Sequence, residues 1–249
     1  MKTPAKSLAL LAAVFALGAL PASAAILALN PVADGYIRAS QNAGQTNNLT
    51  NHIFLVGHTS ATDDELRGVL SFDLNDPALA GATINSVTLT LYVESTDAGS
   101  AAGLDTLNLA QLTESFVEGS VTWTSRDGTN NWTTAGGTSG SVLATATADS
   151  NTVVPGTPLI FSSIAGNALA LSGGVLNLVV SVANPDSSRD IFRIASRTPL
   201  NTNNNPAADW VPVLTIDYTP AAIPEPSSFA ALAGLGMLGF AAARRCARR

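Results

Sequence analysis

The sequence predicts an all-β fold: a jelly-roll-like antiparallel β-sandwich with one short helix. Three observations point there. Apolar and polar residues alternate with period two along much of the chain. Clusters of Gly, Asn, Asp, Ser and Pro interrupt the alternation at short intervals, and only one stretch has helical spacing. Of the 249 residues 46% are hydrophobic but only 6% aromatic, so the apolar mass is Ala, Val, Leu and Ile rather than rings. Such a composition folds rather than remaining disordered.

In chain order, the strand expectations are Tyr36 to Arg38, Ile53 to Gly57, and a strand with Leu70, Phe72 and Leu74 on one face. The clearest is Val87 to Glu94, in which Val87, Leu89, Leu91 and Val93 form an apolar side and Thr88, Thr90 and Glu94 belong to the polar one. Leu107 to Leu112, Leu159 to Phe161, Leu176 to Val182, Phe192 with Ile194, and Leu214 to Tyr218 follow. The breaks are Ala98 to Gly103, Gly136 to Gly140 and Asn201 to Pro206. The short helix is expected over Ser163 to Leu171, with Ile164, Ala168 and Leu171 on one side and Gly173-Gly174 to end it.

Both ends read as addresses. Met1 to Ala24 has Lys2 and Lys6, a short apolar stretch from Leu8 to Leu20, and Ala22-Ser23-Ala24 as small residues for cleavage, which is the pattern of a secretory signal peptide. The stretch is too short for a first transmembrane helix. At the other end, Pro224-Glu225-Pro226 precedes an apolar run from Phe229 to Ala243, followed by Arg244-Arg245-Cys246-Ala247-Arg248-Arg249. Those fifteen residues would make a membrane helix of about 22 Å, with the arginines holding its end on the cytoplasmic side. The body between is 25–222, and the tail is 223–249.

This tail resembles the PEP-CTERM sorting signal of Gram-negative bacteria. The resemblance implies recognition and cutting by an exosortase near Pro224, Glu225 and Pro226, with Arg244 and Arg245 in the basic cluster. It also implies an association with exopolysaccharide and biofilm. Within the tail, Gly234-Leu235-Gly236-Met237-Leu238-Gly239 matches the spacing of a dinucleotide loop, but no strand precedes it and no acidic residue follows. Nucleotide binding is not expected.

Charge excludes some partners. The formal total is −6, but both lysines lie in the leader and four of the ten arginines lie at the extreme C-terminus. The body keeps six arginines against seventeen acidic residues, a net of −11. A nucleic-acid footprint needs clustered cations, so nucleic acid is not an expected partner. Acidic polysaccharides would be repelled unless a local arginine patch or Ca²⁺ intervenes, so a neutral glycan suits the charge better. Oxygen-rich loops around Asp34 and Asp63 to Glu65 offer ligands for a hard cation, although no EF-hand spacing occurs.

Tyr36-Ile37-Arg38, Ile53 to Gly57, Arg67 to Leu74, Phe116-Val117-Glu118-Gly119-Ser120-Val121-Thr122-Trp123, the short helix, Val175 to Val182 and Pro212 to Ile216 follow one another in an order that resembles the DNRLRE-type domain. That family is a β-sandwich related to carbohydrate-binding modules. The resemblance implies a polysaccharide partner, and makes Glu118 structural, before a Val121-Thr122-Trp123 strand.

Sugar recognition uses flat rings and guanidinium forks. Trp132, in a Gly- and Asn-rich loop with Arg126 nearby, is the ring expected to be exposed, and Arg38 and Arg197 are the candidate ligand arginines at strand ends. Trp123 is expected in the core, Trp210 stands equally between core and rim, and Arg67 and Arg193 are expected in buried carboxylate pairs. His52 and His58 are six residues apart on a strand, about 20 Å, and cannot chelate one ion. The one cysteine, Cys246, lies in the tail, and no Gly-x-Ser-x-Gly elbow frames a serine nucleophile. The function expected is non-catalytic polysaccharide binding or matrix association. A second reading is glycan cleavage by Glu114 with Glu118, or by a pair within Asp63-Asp64-Glu65. A third is a structural matrix protein without a specific ligand.

Overall fold

The computed structural model describes residues 23–40, 52–59, 64–98, 104–164, 174–183, 189–198, 208–221 and 226–247. Contacts group the chain into two compact units, one of residues 24–219 and one formed by the two ends.

The first unit is an all-β body. Its strands are β1 (Ala25–Leu29), β2 (Ala33–Arg38), β3 (Ile53–His58), β4 (Glu65–Asp73), β5 (Thr83–Ala98), β6 (Leu104–Leu112), β7 (Ser139–Asp149), β8 (Pro158–Ile164), β9 (Val175–Val182), β10 (Asp190–Ala195) and β11 (Val213–Thr219). They form one curled antiparallel sheet in the order β1-β11-β5-β10-β3-β4-β9-β6-β7, with β2 paired to β4 and β8 to β5. The sixteen-residue β5 joins the two halves. Its first part pairs with β11, from Thr219↔Thr83 to Val213↔Thr90, and its last part pairs with β10 through Asp190↔Ala98 and Phe192↔Thr96.

The alternation read from the sequence decides which way each strand faces. Val87, Leu89, Leu91 and Val93 of β5 are wholly buried, as are Phe54, Phe72, Phe161 and Phe192 to within 1%. Together with Leu107 and Leu109 of β6, Leu178 and Val180 of β9, and Leu214 and Ile216 of β11, they make one continuous core inside the curl. Each such side chain contributes about 1.5–3 kcal/mol by leaving water.

A second, smaller core lies on the outer face of the same sheet. Ile37 of β2, Val69 of β4, Val179 of β9, and Ala110 and Leu112 of β6 alternate with inward residues and so point away from the main core. They are covered by Phe116, Val121 and Trp132 from the β6–β7 connection, residues 113–138. The sheet is therefore dry on both sides at this end.

The two strands that the alternation did not reveal are β1 and β7. β1 is an unbroken apolar run, and β7 is mostly Ser, Ala and Thr, whose polarity contrast is too small to show a clear period. The expected break at Gly136 to Gly140 ends early, because Ser139 and Gly140 already belong to β7. The expected Val121-Thr122-Trp123 strand is instead part of a turn: Ser125 N–H donates to the Thr122 hydroxyl and Thr122 N–H to the Ser125 carbonyl. Of the short helix expected over Ser163 to Leu171, the first two residues end β8, and 165–171 lie outside the described residues.

In the second unit, α1 (Pro226–Cys246) starts with proline, which has no N–H to leave unpaired, and ends with Arg244 and Arg245, which favour the negative end of the helix dipole. Among the described residues no helix is long and apolar enough to cross a membrane. The Gly234 to Gly239 spacing lies within this continuous helix, which leaves no loop to hold a phosphate. Residues of the expected signal peptide up to position 22 lie outside the described residues.

Gly57 has φ +144°, and a Cβ there would stand 1.9 Å from the Asp190 carbonyl oxygen across the β3–β10 pair. Gly57→Ala is expected to cost at least about 2 kcal/mol in a denaturant titration; an unchanged midpoint would contradict this packing. Trp132→Ala should lose about 3–5 kcal/mol by opening the second core, read as a large fall in Tm.

Candidate functional site

The β6–β7 connection shapes the outer face, and its fold is built from short local hydrogen bonds. Asp127 caps the Thr129 and Asn130 backbone N–H groups, which hold its carboxyl down to about 2. Glu114 accepts from Thr133 N–H, the Thr133 hydroxyl and the Thr138 hydroxyl, so its carboxyl is also held below the usual range. Trp132 donates its indole N–H to the Thr122 carbonyl at 3.0 Å and is 5% exposed. The expectation of an exposed Trp132 is thereby corrected. Its ring fills the second core because the outer face of β4, β9 and β6 is apolar at that point and needs a cover.

The ring nearer the surface is Trp123, which is half-buried at the margin of the second core. The Arg67 guanidinium lies over it, 4.8 Å from the ring centroid. Arg67 also makes a fork-to-fork pair with Glu65, Nε to Oε1 and Nη2 to Oε2, both 2.8 Å, and donates Nη1 to the Gly136 carbonyl at 2.9 Å. Gly136 has φ +85°, and a Cβ there would meet Trp123 Cζ2 at 2.7 Å, so only glycine lets the loop close onto the ring. The carboxylate pair expected for Arg67 is this one with Glu65, while its contacts with Trp123 and Gly136 were missed. The signal of the pair was Glu65 and Arg67 two apart on a strand, hence on one face.

The candidate arginines are tied up within the protein. Arg38 donates Nε to Asp64 Oδ1 at 2.9 Å and Nη2 to Oδ2, while the Ser40 N–H and Thr59 hydroxyl also reach that carboxylate. These contacts hold the Asp64 carboxyl well below the ordinary carboxylate range, the Arg38 fork being the largest cause. Arg197 forks onto Glu118, whose Oε1 also accepts the Asp34 backbone N–H. The structural role expected for Glu118 is this clamp between β2, the β6–β7 connection and the chain after β10. Arg126 reaches Ser115 and lies 4.0 Å from Asp127. Arg189 pairs with Asp97, and Arg193 lies 3.9 Å from the same carboxylate. Arg193 is 42% exposed, so its pair is a surface contact and not the buried one expected. Each of the six body arginines thus has a carboxylate within 4.0 Å.

Asp34 is perturbed in the opposite direction to Asp64. Its carboxylate is buried, accepts the Ser196 hydroxyl and Arg197 N–H, and is pushed up to about 6, chiefly by loss of water. Those contacts consume the oxygens offered for a cation, and Asp63 lies outside the described residues. Among the described residues no three His, Cys, Asp or Glu side chains converge on a metal position. Trp210 is half-buried and its ring edge packs over Gly156, where a Cβ would lie 2.8 Å from Cζ2.

The folded state binds the Asp34 proton more tightly than an unfolded carboxyl at 3.8 does. Its contribution to stability is therefore full below about pH 4 and is lost as pH rises through about 6, an amount on the order of 3 kcal/mol. The difference in unfolding free energy between the wild type and Asp34→Asn should fall across that window, and a flat difference would contradict the assignment. Arg38→Ala should cost about 3 kcal/mol by stranding the buried Asp64 charge, with most of the loss recovered when Asp64→Ala is added.

Two family models match the chain. Carbohydrate-binding module family 96 matches residues 25–154, which contain β1 to β7 and the loop with Trp123 and Trp132. This assignment is compatible with the resemblance to a DNRLRE-type domain. The PEP-CTERM protein-sorting motif matches residues 222–245. No curated protein matches the chain. With more than half of its length in the first match, the chain belongs to carbohydrate-binding module family 96, and it carries a PEP-CTERM sorting tail.

Proposed function

We propose that this chain is an exported, non-catalytic protein that binds polysaccharide at or outside the cell surface. The observation that carries the reading is the carbohydrate-binding module match over the sheet and its covering loop. The disposition of charge supports a neutral glycan over an acidic one. Each of the six body arginines has a carboxylate within 4.0 Å, and the excess acid of the body repels a polyanion.

The runner-up, glycan cleavage, needs two carboxyl groups about 5 to 9.5 Å apart across a scissile bond. The candidate groups are engaged elsewhere. Glu114 is held by Thr133 and Thr138, Glu118 by Arg197 and the Asp34 N–H, Asp64 by Arg38, and Glu65 by Arg67. None of these four is left free to protonate a leaving group, and Asp63 lies outside the described residues.

The sorting motif supports a route for the mature protein. After export by the leader, residues 229–243 hold the tail in the inner membrane, with Arg244 and Arg245 on the cytoplasmic side. An exosortase then cuts near Pro224-Glu225-Pro226, and the body is released to, or retained on, the outside, where exopolysaccharide and biofilm matrix are assembled.

Retention of the chain on immobilised polysaccharide, with no new reducing ends formed on prolonged incubation, is the expected result. Sugar release that disappears in Glu118→Gln would make the chain an enzyme instead. In the native host, replacing Pro224, Glu225 and Pro226 by alanine should leave a longer, membrane-associated species; normal processing of that variant would overturn the tail assignment.

A further inference from the structure

The outer face of the sheet is only half covered. Under the β6–β7 connection it is apolar, and beyond Arg67 and Trp123 it changes character. The register identifies the residues. Asn108 of β6 lies opposite both Ser181 of β9 and Thr145 of β7, and Thr106 lies opposite Thr147. Arg67 of β4 and Ser181 sit one step beyond the Gly68↔Val180 pair, on the face that carries Val69 and Val179. All of these alternate with core residues such as Leu107, Leu109, Ala146, Ala148, Val180 and Val182, so their side chains leave the sheet outward.

A polar row therefore runs across four adjacent strands, Arg67, Ser181, Asn108 and Thr145, with Thr106 and Thr147 beside it. Strands spaced about 4.8 Å apart give it a length of about 14 Å. Thr145 and Thr147 are exposed, and Ser181, Asn108 and Thr106 are half-exposed. At one end the row meets a wall formed by the Trp123 ring, its Arg67 lid and Gly136. The row carries hydroxyls and an amide, and its one cation is neutralised by Glu65.

The geometry points to this row as the binding face for a neutral polysaccharide chain laid across β4, β9, β6 and β7. This rests on the carbohydrate-binding reading above and names its site and ligand class. Short hydroxyl and amide side chains on a rigid sheet both donate and accept, which matches the hydroxyl groups of an uncharged sugar, and the row brings no net positive charge to a carboxylate or sulfate. The indole edge and guanidinium plane at the end of the row supply an apolar surface for one sugar ring. The family match includes β4, β6 and β7, three of the four strands.

The test is affinity electrophoresis of the full-length chain in detergent through gels containing starch, xylan, galactomannan or alginate. At least one neutral polymer should retard the wild type more than alginate does. Removing two hydrogen-bonding groups in Asn108→Ala/Thr145→Ala should weaken that retardation about tenfold, with Tm unchanged because both side chains lie outside the cores. A control double substitution on the other half of the sheet, Thr88→Ala/Thr90→Ala, should bind as wild type. Retardation of the wild type with equal retardation of the Asn108/Thr145 variant would overturn this site while leaving carbohydrate binding in place. Loss in the Thr88/Thr90 variant alone would move the site to the other face, and preference for alginate would overturn the neutral class. No retardation by any polymer would remove the carbohydrate-binding reading itself.

Discussion

The Arg67 guanidinium is the contact on which the outer face depends. It joins Glu65 on its own strand, the Gly136 carbonyl of the β6–β7 connection, and the Trp123 ring of the same connection. Without it the loop would keep its apolar underside and the Glu118–Arg197 clamp but lose its tie to β4. With it, the loop covers the apolar half of the face and stops where the polar row starts. A single planar cation with five donors can satisfy a carboxylate and a carbonyl at once while stacking on a ring, which a lysine cannot do.

The same economy of charge runs through the body. Three of its six arginines pair with a carboxylate far away in sequence, Arg189 to Asp97 across 92 positions, Arg197 to Glu118 across 79 and Arg38 to Asp64 across 26. In this body, which has neither cysteine nor lysine, these pairs and the two cores are what fix the loops. The consequence for recognition is that arginine is a structural residue here, and ligand contacts fall to hydroxyl and amide side chains on the sheet.

Much of the sandwich was legible because Val and Leu alternate with Thr and Glu. Val87 to Glu94 identifies its inner face without help, and the core follows from it. β7 was not legible, since its Ser, Ala and Thr residues differ little in polarity. Trp132 was misplaced because a tryptophan among Gly, Asn and Thr reads as an exposed loop residue. Its burial depends on the outer face of a sheet formed by residues far away in sequence, Ile37, Val69 and Val179. The pairs of Arg38 and Arg197 were hidden for the same reason, and only Glu65 with Arg67 had a local signature. The polar row was written in the sequence as Thr106 with Asn108 and Thr145 with Thr147, but it became a surface only once the register put those strands side by side.

The most direct measurement is a crystal structure of the chain with a neutral oligosaccharide bound. The account predicts the sugar lying across β9, β6 and β7, hydrogen-bonded to Asn108 and Thr145, with one ring against the Trp123 and Arg67 edge. A sugar seated on the opposite half of the sheet, or held between Glu114 and Glu118 in a cleavage geometry, would contradict it.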